Sequence, residues 1–197
     1  MQKALESFTQ LIQTAVPIST AEAANFFDNF QLHELRTDEY LVREGQVCDF
    51  IGFLETGMIR YYYVNDGEEV TRWVSLENDF VTALGSFITQ TPCSHFLQAV
   101  QPVRIWKLEK KRWIELYRQQ EPLRELWARM IERNVVGFEN RVYQQLASDA
   151  EQRYLYFLKN YPAFIEKVPQ KYIASMIGIQ PESLSRLRAK LAQKGNS

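Results

Sequence analysis

The stretch QKYIASMIGIQPESLSRLRAKL, Gln170 to Leu191, decides the reading of this chain. It contains what two helices meeting at a tight turn require: a small residue at the contact, a turn residue tolerant of positive φ, and apolar side chains facing inward. Ala174 is the small contact, and Gly178, four residues on, sits at the turn. Ile173, Ile177, Ile179, Leu184 and Leu187 have the inward spacing. Pro181 opens the second helix, where its missing N–H costs nothing. That helix divides by face, with Leu184, Leu187 and Leu191 inward and Glu182, Ser183, Ser185, Arg186 and Arg188 on the remaining surface. The spacing predicts a helix-turn-helix. A helical hairpin with a solvated charged face explains the leucines, but not the combination with Ala174, Gly178 and the charges.

In a helix-turn-helix, side chains near the start of the second helix reach base edges in the major groove. Arg186 suits a bidentate pair with guanine, and Glu182 can accept from cytosine N4. Ser183, Arg188, Lys171 and Lys190 are better placed for phosphates, and Ser185 shares the outer face. Charge follows the same division. The net charge is −1. Residues 159–197 hold seven basic side chains (Lys159, Lys167, Lys171, Arg186, Arg188, Lys190, Lys194) against Glu166 and Glu182, a balance of +5. Residues 1–158 hold 16 basic and 22 acidic residues, or −6. A cationic module on an acidic body is expected when only that end meets phosphate, though a basic tail without a partner has the same balance.

Upstream, Asp149–Leu158 is expected to be helical, stopping near Tyr161-Pro162. Before it, a long helix is predicted from about Pro122. Trp127, Ile131, Val135, Phe138, Val142 and Leu146 recur at spacings of four, four, three, four and four. This sustained apolar stripe, widened by Leu123, Leu126 and Met130, suits packing on the chain's own β domain, on a second copy of the helix, or both. A candidate dimer interface is Trp127, Ile131, Val135, Phe138 and Val142.

Between about 32 and 108 the texture is β. The runs EYLV, FIGFLE, MIRYYYV, EVTRWVS, FLQAV and VRIWKL are separated by turn signals at Arg43-Glu44-Gly45, Thr56-Gly57, Asn65-Asp66-Gly67 and Thr91-Pro92. Asn65-Asp66-Gly67 is a hairpin signal, and short strands at this spacing indicate a barrel or jelly roll. Amphipathic helices are predicted over 3–14 and 20–31, the second with Ser19 and Glu22 at capping-box spacing. A short helix is expected over Lys110–Arg118.

The chain has 197 residues, of which 46% are hydrophobic and 24% charged, enough for a packed core without metals or disulfides. Two cysteines, Cys48 and Cys93, exclude a four-cysteine cage within one chain and leave a single disulfide or, as expected in a cytosolic protein, two reduced thiols. No apolar h-region or membrane span is visible, so a cytoplasmic protein is expected, with no membrane partner. There is no P-loop, Gly-rich dinucleotide turn, GxSxG or HExxH, and an enzyme is not expected. His33 and His95 lie in different regions with no nucleophile partner. No metal site and no cofactor are expected.

Taken end to end, the chain resembles the Crp/Fnr family of bacterial transcription regulators. Gln180-Pro-Glu-Ser-Leu-Ser-Arg186 is similar to that family's recognition-helix start, with Glu182, Ser183, Ser185 and Arg186 matching and Pro181 replacing a basic side chain. Glu44-Gly45 and Glu55-Thr56-Gly57 resemble turn glycines of its β-roll. The resemblance implies an α+β fold: a jelly-roll-like β-roll of the cyclic-nucleotide-binding type over 1–120, a dimerisation helix over 121–147, and a helix-turn-helix domain over 148–197. It implies a homodimer on double-stranded DNA with a two-fold operator, with RNA polymerase as a candidate partner. The alternative is a ligand-sensing module that acts through protein contacts without DNA.

The resemblance fails at the phosphate cassette. Thr82 and Ala83 stand where the family's cyclic-AMP binders carry Gly-Glu, and Cys93-Ser94-His95 where they carry Arg-Ser-Ala. Without that arginine a buried phosphate lacks its charge partner, a loss on the order of several kcal/mol. Tight cyclic-AMP binding is therefore not expected. Thr82, Ala83, Cys93 and Ser94 remain the candidate effector pocket, for an unknown small molecule. After Leu191 only Ala192-Gln-Lys-Gly-Asn-Ser follows, so the family's β-hairpin wing is expected to be missing or very short.

Overall fold

A computed structural model describes residues 1–195. Two helices open the chain, α1 (Gln2–Ala15) and α2 (Thr20–Phe27). Ser19 caps α2 in a reciprocal box with Glu22, as its spacing predicts. The predicted helix over 20–31 stops four residues early. Asn29 Nδ2 donates to the carbonyls of Asn25 and Phe26 and closes the last turn, and Gln31 already begins a strand.

The strands are β1 (Gln31–Leu35), β2 (Tyr40–Val42), β3 (Phe50–Thr56), β4 (Ile59–Asn65), β5 (Glu68–Ser75), β6 (Phe80–Val81), β7 (Phe96–Ala99) and β8 (Val103–Glu109). They form two antiparallel four-stranded sheets, ordered β1-β8-β3-β6 and β2-β7-β4-β5. The β4–β5 hairpin turns on Asp66 and Gly67, both at positive φ, with Asn65 paired to Glu68. That is the two-residue turn whose twist suits a hairpin. A bulge in β5 opposite Tyr61 and Tyr62 leaves Arg72 as the extra residue.

One hydrophobic cluster fills the space between the sheets, with Leu54, Ile59, Leu97, Ala99 and Ile105 fully buried. Strand β3 is buried on both faces. Phe50 and Leu54 face this cluster, while Ile51 and Phe53 face a second one beneath the helices. At Gly52 a Cβ would lie 2.5 Å from Ile105 Cδ1, so a side chain there would force the buried Ile105 to move. In the second cluster Phe8 is completely buried, with the rings of Phe26, Phe27, Phe30, Phe53 and Phe80 at 4.9–6.0 Å.

A short helix not foreseen from the sequence, α3 (Leu84–Thr89), lies between β6 and β7; then follow α4 (Lys110–Gln119) and the 27-residue α5 (Glu121–Ala147). The first turns of α5 bury Leu123 and Leu126 against the roll, and Trp127 packs on Phe87 and Trp113 at 5.8 and 5.4 Å. Beyond Asn134 the helix carries its apolar residues on the surface.

The C-terminal helices are α6 (Ala150–Asn160), α7 (Pro162–Lys167), α8 (Gln170–Met176) and α9 (Pro181–Gly195). Helix α6 has an unforeseen capping box between Asp149 and Gln152. Pro162, read from sequence as a stop, opens α7, because proline suits a first helical turn as well as it ends a preceding helix. Asn196 and Ser197, the end of the segment read as lacking a wing, lie outside the described residues. Among the described residues no helix is long and apolar enough to cross a membrane.

Candidate nucleic-acid interface and effector region

Helices α8 and α9 meet across Gly178, whose φ of +70° is the left-handed conformation a turn glycine supplies. The Ile177 and Ile179 amides donate to the carbonyls of Ile173 and Ala174 and close the turn. Ala174 is fully buried, and Ile173, Ile177 and Leu184 are nearly so. This leaves Glu182, Ser185 and Arg186 exposed at the start of α9, with Ser183 and Arg188 half-buried beside them and Lys171 exposed on α8. Arg186 Nη2 lies 3.4 Å from Ser183 Oγ.

Lys190 is placed differently from a free phosphate contact. Its ammonium donates to Glu151 at 2.6 Å, and that bond holds its pKa above the ordinary lysine value. The partner is 39 residues away, on α6, out of reach of any local pattern.

The helix-turn-helix is docked on the roll, a contact the sequence does not announce. The Thr71 amide on edge strand β5 donates to Ser175 Oγ of α8 at 2.8 Å. Beside it, Arg60 is buried. Its Nε donates to Thr71 Oγ1 at 2.8 Å, its Nη1 pairs with Glu69 at 2.6 Å, and its guanidinium lies between the rings of Tyr62 and Tyr172 at 4.2 and 4.6 Å. Trp73, next along β5, packs on Tyr161 and Phe164 at 5.2 and 4.9 Å. A third hydrophobic cluster accordingly mixes Met58, Val74 and Leu76 of the roll with Phe157, Ile173, Ala174 and Leu184. Of the aromatic and cationic side chains of β4 and β5, Arg60 and Trp73 are the ones that meet the C-terminal helices.

On α5, Val135 and Phe138 are each 59% exposed and Leu146 83%, with Val142 in line with them. Ile131 is half-buried, and Trp127 belongs to the intrachain packing. The stripe thus serves the roll at its start and faces outward further along.

In the candidate effector region, Ala83 and Cys93 are buried among core residues. Thr82 Oγ1 donates to the Phe50 carbonyl at 2.8 Å, while Ser94 is exposed. The Cys93 thiol donates to the His95 carbonyl at 3.1 Å, and burial pushes its pKa up. The cassette also closes on itself. Ser86 Oγ accepts from the Cys48 amide and donates to the Thr91 carbonyl. His95 is neutral, with a pKa lowered to about 4 by burial first and by the Arg72 charge second. Its Nε2 is buried and has no hydrogen-bond partner among the described residues. His33, the other histidine, lies on exposed β1 opposite Ile105. No cluster of three or more potential metal ligands occurs among the described residues.

Residues 32–120 match the cyclic nucleotide-binding domain family. No curated protein sequence matches the chain. Among solved structures it is similar to a CooA variant from Carboxydothermus hydrogenoformans, with 16% identity and a TM-score of 0.70, covering 87% of this chain and 80% of that one. It is similar to FixK2 from Bradyrhizobium japonicum, with 18% identity and a TM-score of 0.71, covering 84% and 86%. A protein from Eubacterium rectale assigned to the Crp/Fnr family of transcriptional regulators shares 16% identity and a TM-score of 0.63, covering 90% and 85%.

Proposed function

We propose that this chain is a sequence-specific DNA-binding transcription regulator of the Crp/Fnr family acting as a homodimer, a reading supported by its fold and by the cyclic nucleotide-binding domain over residues 32–120. The observation that carries the reading is the outer face of α9. Leu184 is buried while Glu182, Ser185 and Arg186, at the positions that reach base edges, stand exposed at the first turns beyond a left-handed Gly178. Arg186 reads a guanine, Glu182 a cytosine, and Ser183, Ser185, Lys171 and Arg188 hold the backbone. Lys190 must exchange Glu151 for a phosphate and contributes less than its charge suggests. The division into 1–120, 121–147 and 148–197 follows the same roles of sensing, pairing and reading.

The outward residues Val135, Phe138, Val142 and Leu146 support pairing of α5 with a second copy, which would set two recognition helices about one duplex turn apart. An exposed line of large apolar side chains along a helix is a contact surface in want of a partner. The roll does not suit a cyclic nucleotide. The position for the phosphate-pairing arginine is a buried thiol spent on a carbonyl, and the ribose-binding carboxylate is replaced by Ala83. Any effector is therefore of another kind.

The test is fluorescence anisotropy on duplexes selected by the protein. Arg186→Ala should relax preference at one base position by about 1–3 kcal/mol. Lys171→Ala should weaken all duplexes alike and lower the salt slope by about one. Unchanged binding by both variants would remove the assignment of α9.

A further inference from the structure

We propose that the junction of the roll, α5 and the helix-turn-helix holds an oxyanion of the phosphate class, bound by Arg141 and Arg153 in a small cavity walled by aromatic rings. The cavity has a volume of about 30 Å³ and opens to solvent. Trp73 of β5, Arg141, Gln144 and Gln145 of α5, Arg153 of α6 and Tyr161 between α6 and α7 line it, together with the end of α8, and among the described residues no Asp or Glu does. All three bodies of the molecule meet here.

The two arginines lack the partners their surroundings call for. Arg141 is half-buried, stacked 4.9 Å over the Trp73 ring, and its Nη1 donates to the Arg72 carbonyl at 3.2 Å. Arg153 donates through Nε to the Ile177 carbonyl and through Nη1 to the Ser148 carbonyl, both at 2.7 Å, leaving Nη2. Among the described residues neither forms an ion pair, and neither does Arg72, which lies close enough to depress the Arg141 pKa further. Taking a guanidinium out of water is unfavourable unless an anion faces it. The chain supplies neutral carbonyls in that place, while Gln144 and Gln145 offer amide donors at the rim. Guanidinium forks and amides around a space without carboxylates form a site that recognises an oxyanion. The enclosed volume admits a phosphate-sized head group only in part, so the remainder of the ligand lies in the open mouth.

Occupancy would tie α5 and α6 across Ser148 and steady the turn of the helix-turn-helix, where Gln145 Nε2 also reaches the Met176 carbonyl. The oxyanion is either a free ion or a phosphate of the DNA backbone, and the site stands whether or not the chain reads DNA.

The experiment titrates inorganic phosphate into the full chain and into Arg141→Gln, following Tm and the phosphorus-NMR linewidth, with chloride at equal ionic strength as the reference. Phosphate should raise the wild-type Tm saturably by about 3 °C more than it raises that of Arg141→Gln, with line broadening only for the wild type. A duplex arm separates the sources. If the backbone supplies the oxyanion, Arg141→Gln lowers the salt slope of DNA binding by about one; if the free ion does, the slope is unchanged and the phosphate response is lost. Should Arg141→Gln fold poorly, Gln144→Ala replaces it, with the phosphate response reduced severalfold. Equal phosphate responses in wild type and folded variants, with unchanged DNA slopes, overturn the proposal.

Discussion

Acid should weaken this fold through His95, and replacing that residue should remove the effect. In the folded chain His95 keeps its neutral form down to about pH 4, against an ordinary value of 6.5. Burial comes first among the causes and the Arg72 charge second. Between those two pH values the unfolded chain carries a proton that the folded chain does not, so unfolding takes up a proton and stability falls as pH drops. Above pH 6.5 the residue contributes no pH dependence, and below about 4 the loss is complete. One pH unit corresponds to about 1.4 kcal/mol, so lowering the pH from 7 to 4.5 would cost about 2.4 kcal/mol for a fully enclosed ring. His95 is partly exposed, and solvent screening brings the expected figure to about 1.5 kcal/mol. The Cys93 thiol beside it, raised by burial, stays protonated throughout. Urea unfolding of the wild type and His95→Leu at pH 7 and 4.5 isolates the contribution, because the carboxylates common to both cancel in the difference. The variant should lose about 1.5 kcal/mol less on acidification. Equal losses would show that the ring already titrates near its ordinary value, and that the packing described around it is wrong.

Three further outcomes follow from the geometry. Phe138→Glu should shift the protein from dimer to monomer in sedimentation equilibrium with unchanged circular dichroism; a dimer surviving that charge rules out the α5 interface. Ser175→Ala strands the Thr71 amide at the roll edge and should cost about 1–3 kcal/mol, read as faster hydrogen exchange at Thr71 and across α8; unaltered exchange would mean that the docking does not depend on this bond. Cyclic AMP titrated calorimetrically should give no binding at micromolar concentrations, whereas a saturable isotherm would contradict the account of Ala83 and Cys93.

What sequence could reveal and what it could not divides along distance in the chain. Gly178, Ala174 and the leucines of α9 work through neighbours three to seven residues away, and the two-residue hairpin turn at Asp66-Gly67 is equally local. These were readable because the period of a helix and the φ of a turn are written in adjacent residues. The short helices α3 and α7 carry too few residues to show a period, and Pro162 fits both an ending and a beginning. Strand β1 was hidden because all but its last residue are exposed, so no alternation marks it. The docking of the helix-turn-helix on the roll joins Thr71 to Ser175 across 104 residues, and within the C-terminal helices Lys190 meets Glu151 across 39. No local pattern encodes either, so the sequence identified the surface of α9 but not which of its cations are already engaged. Likewise, Trp127 fits the same helical stripe as Val135 and Phe138, and only the position of Phe87 and Trp113 reveals that it packs within the chain.

The most direct test is selection of bound duplexes from a random pool, followed by competition against non-specific DNA at two salt concentrations. A two-fold symmetric site should emerge with half-sites about ten base pairs apart. It should be bound about a thousandfold or more over random duplex, with the preference narrowed at one position per half-site by Arg186→Ala. No enrichment after repeated rounds, or binding that is weak and equal for every sequence, would contradict the claim that α9 reads DNA.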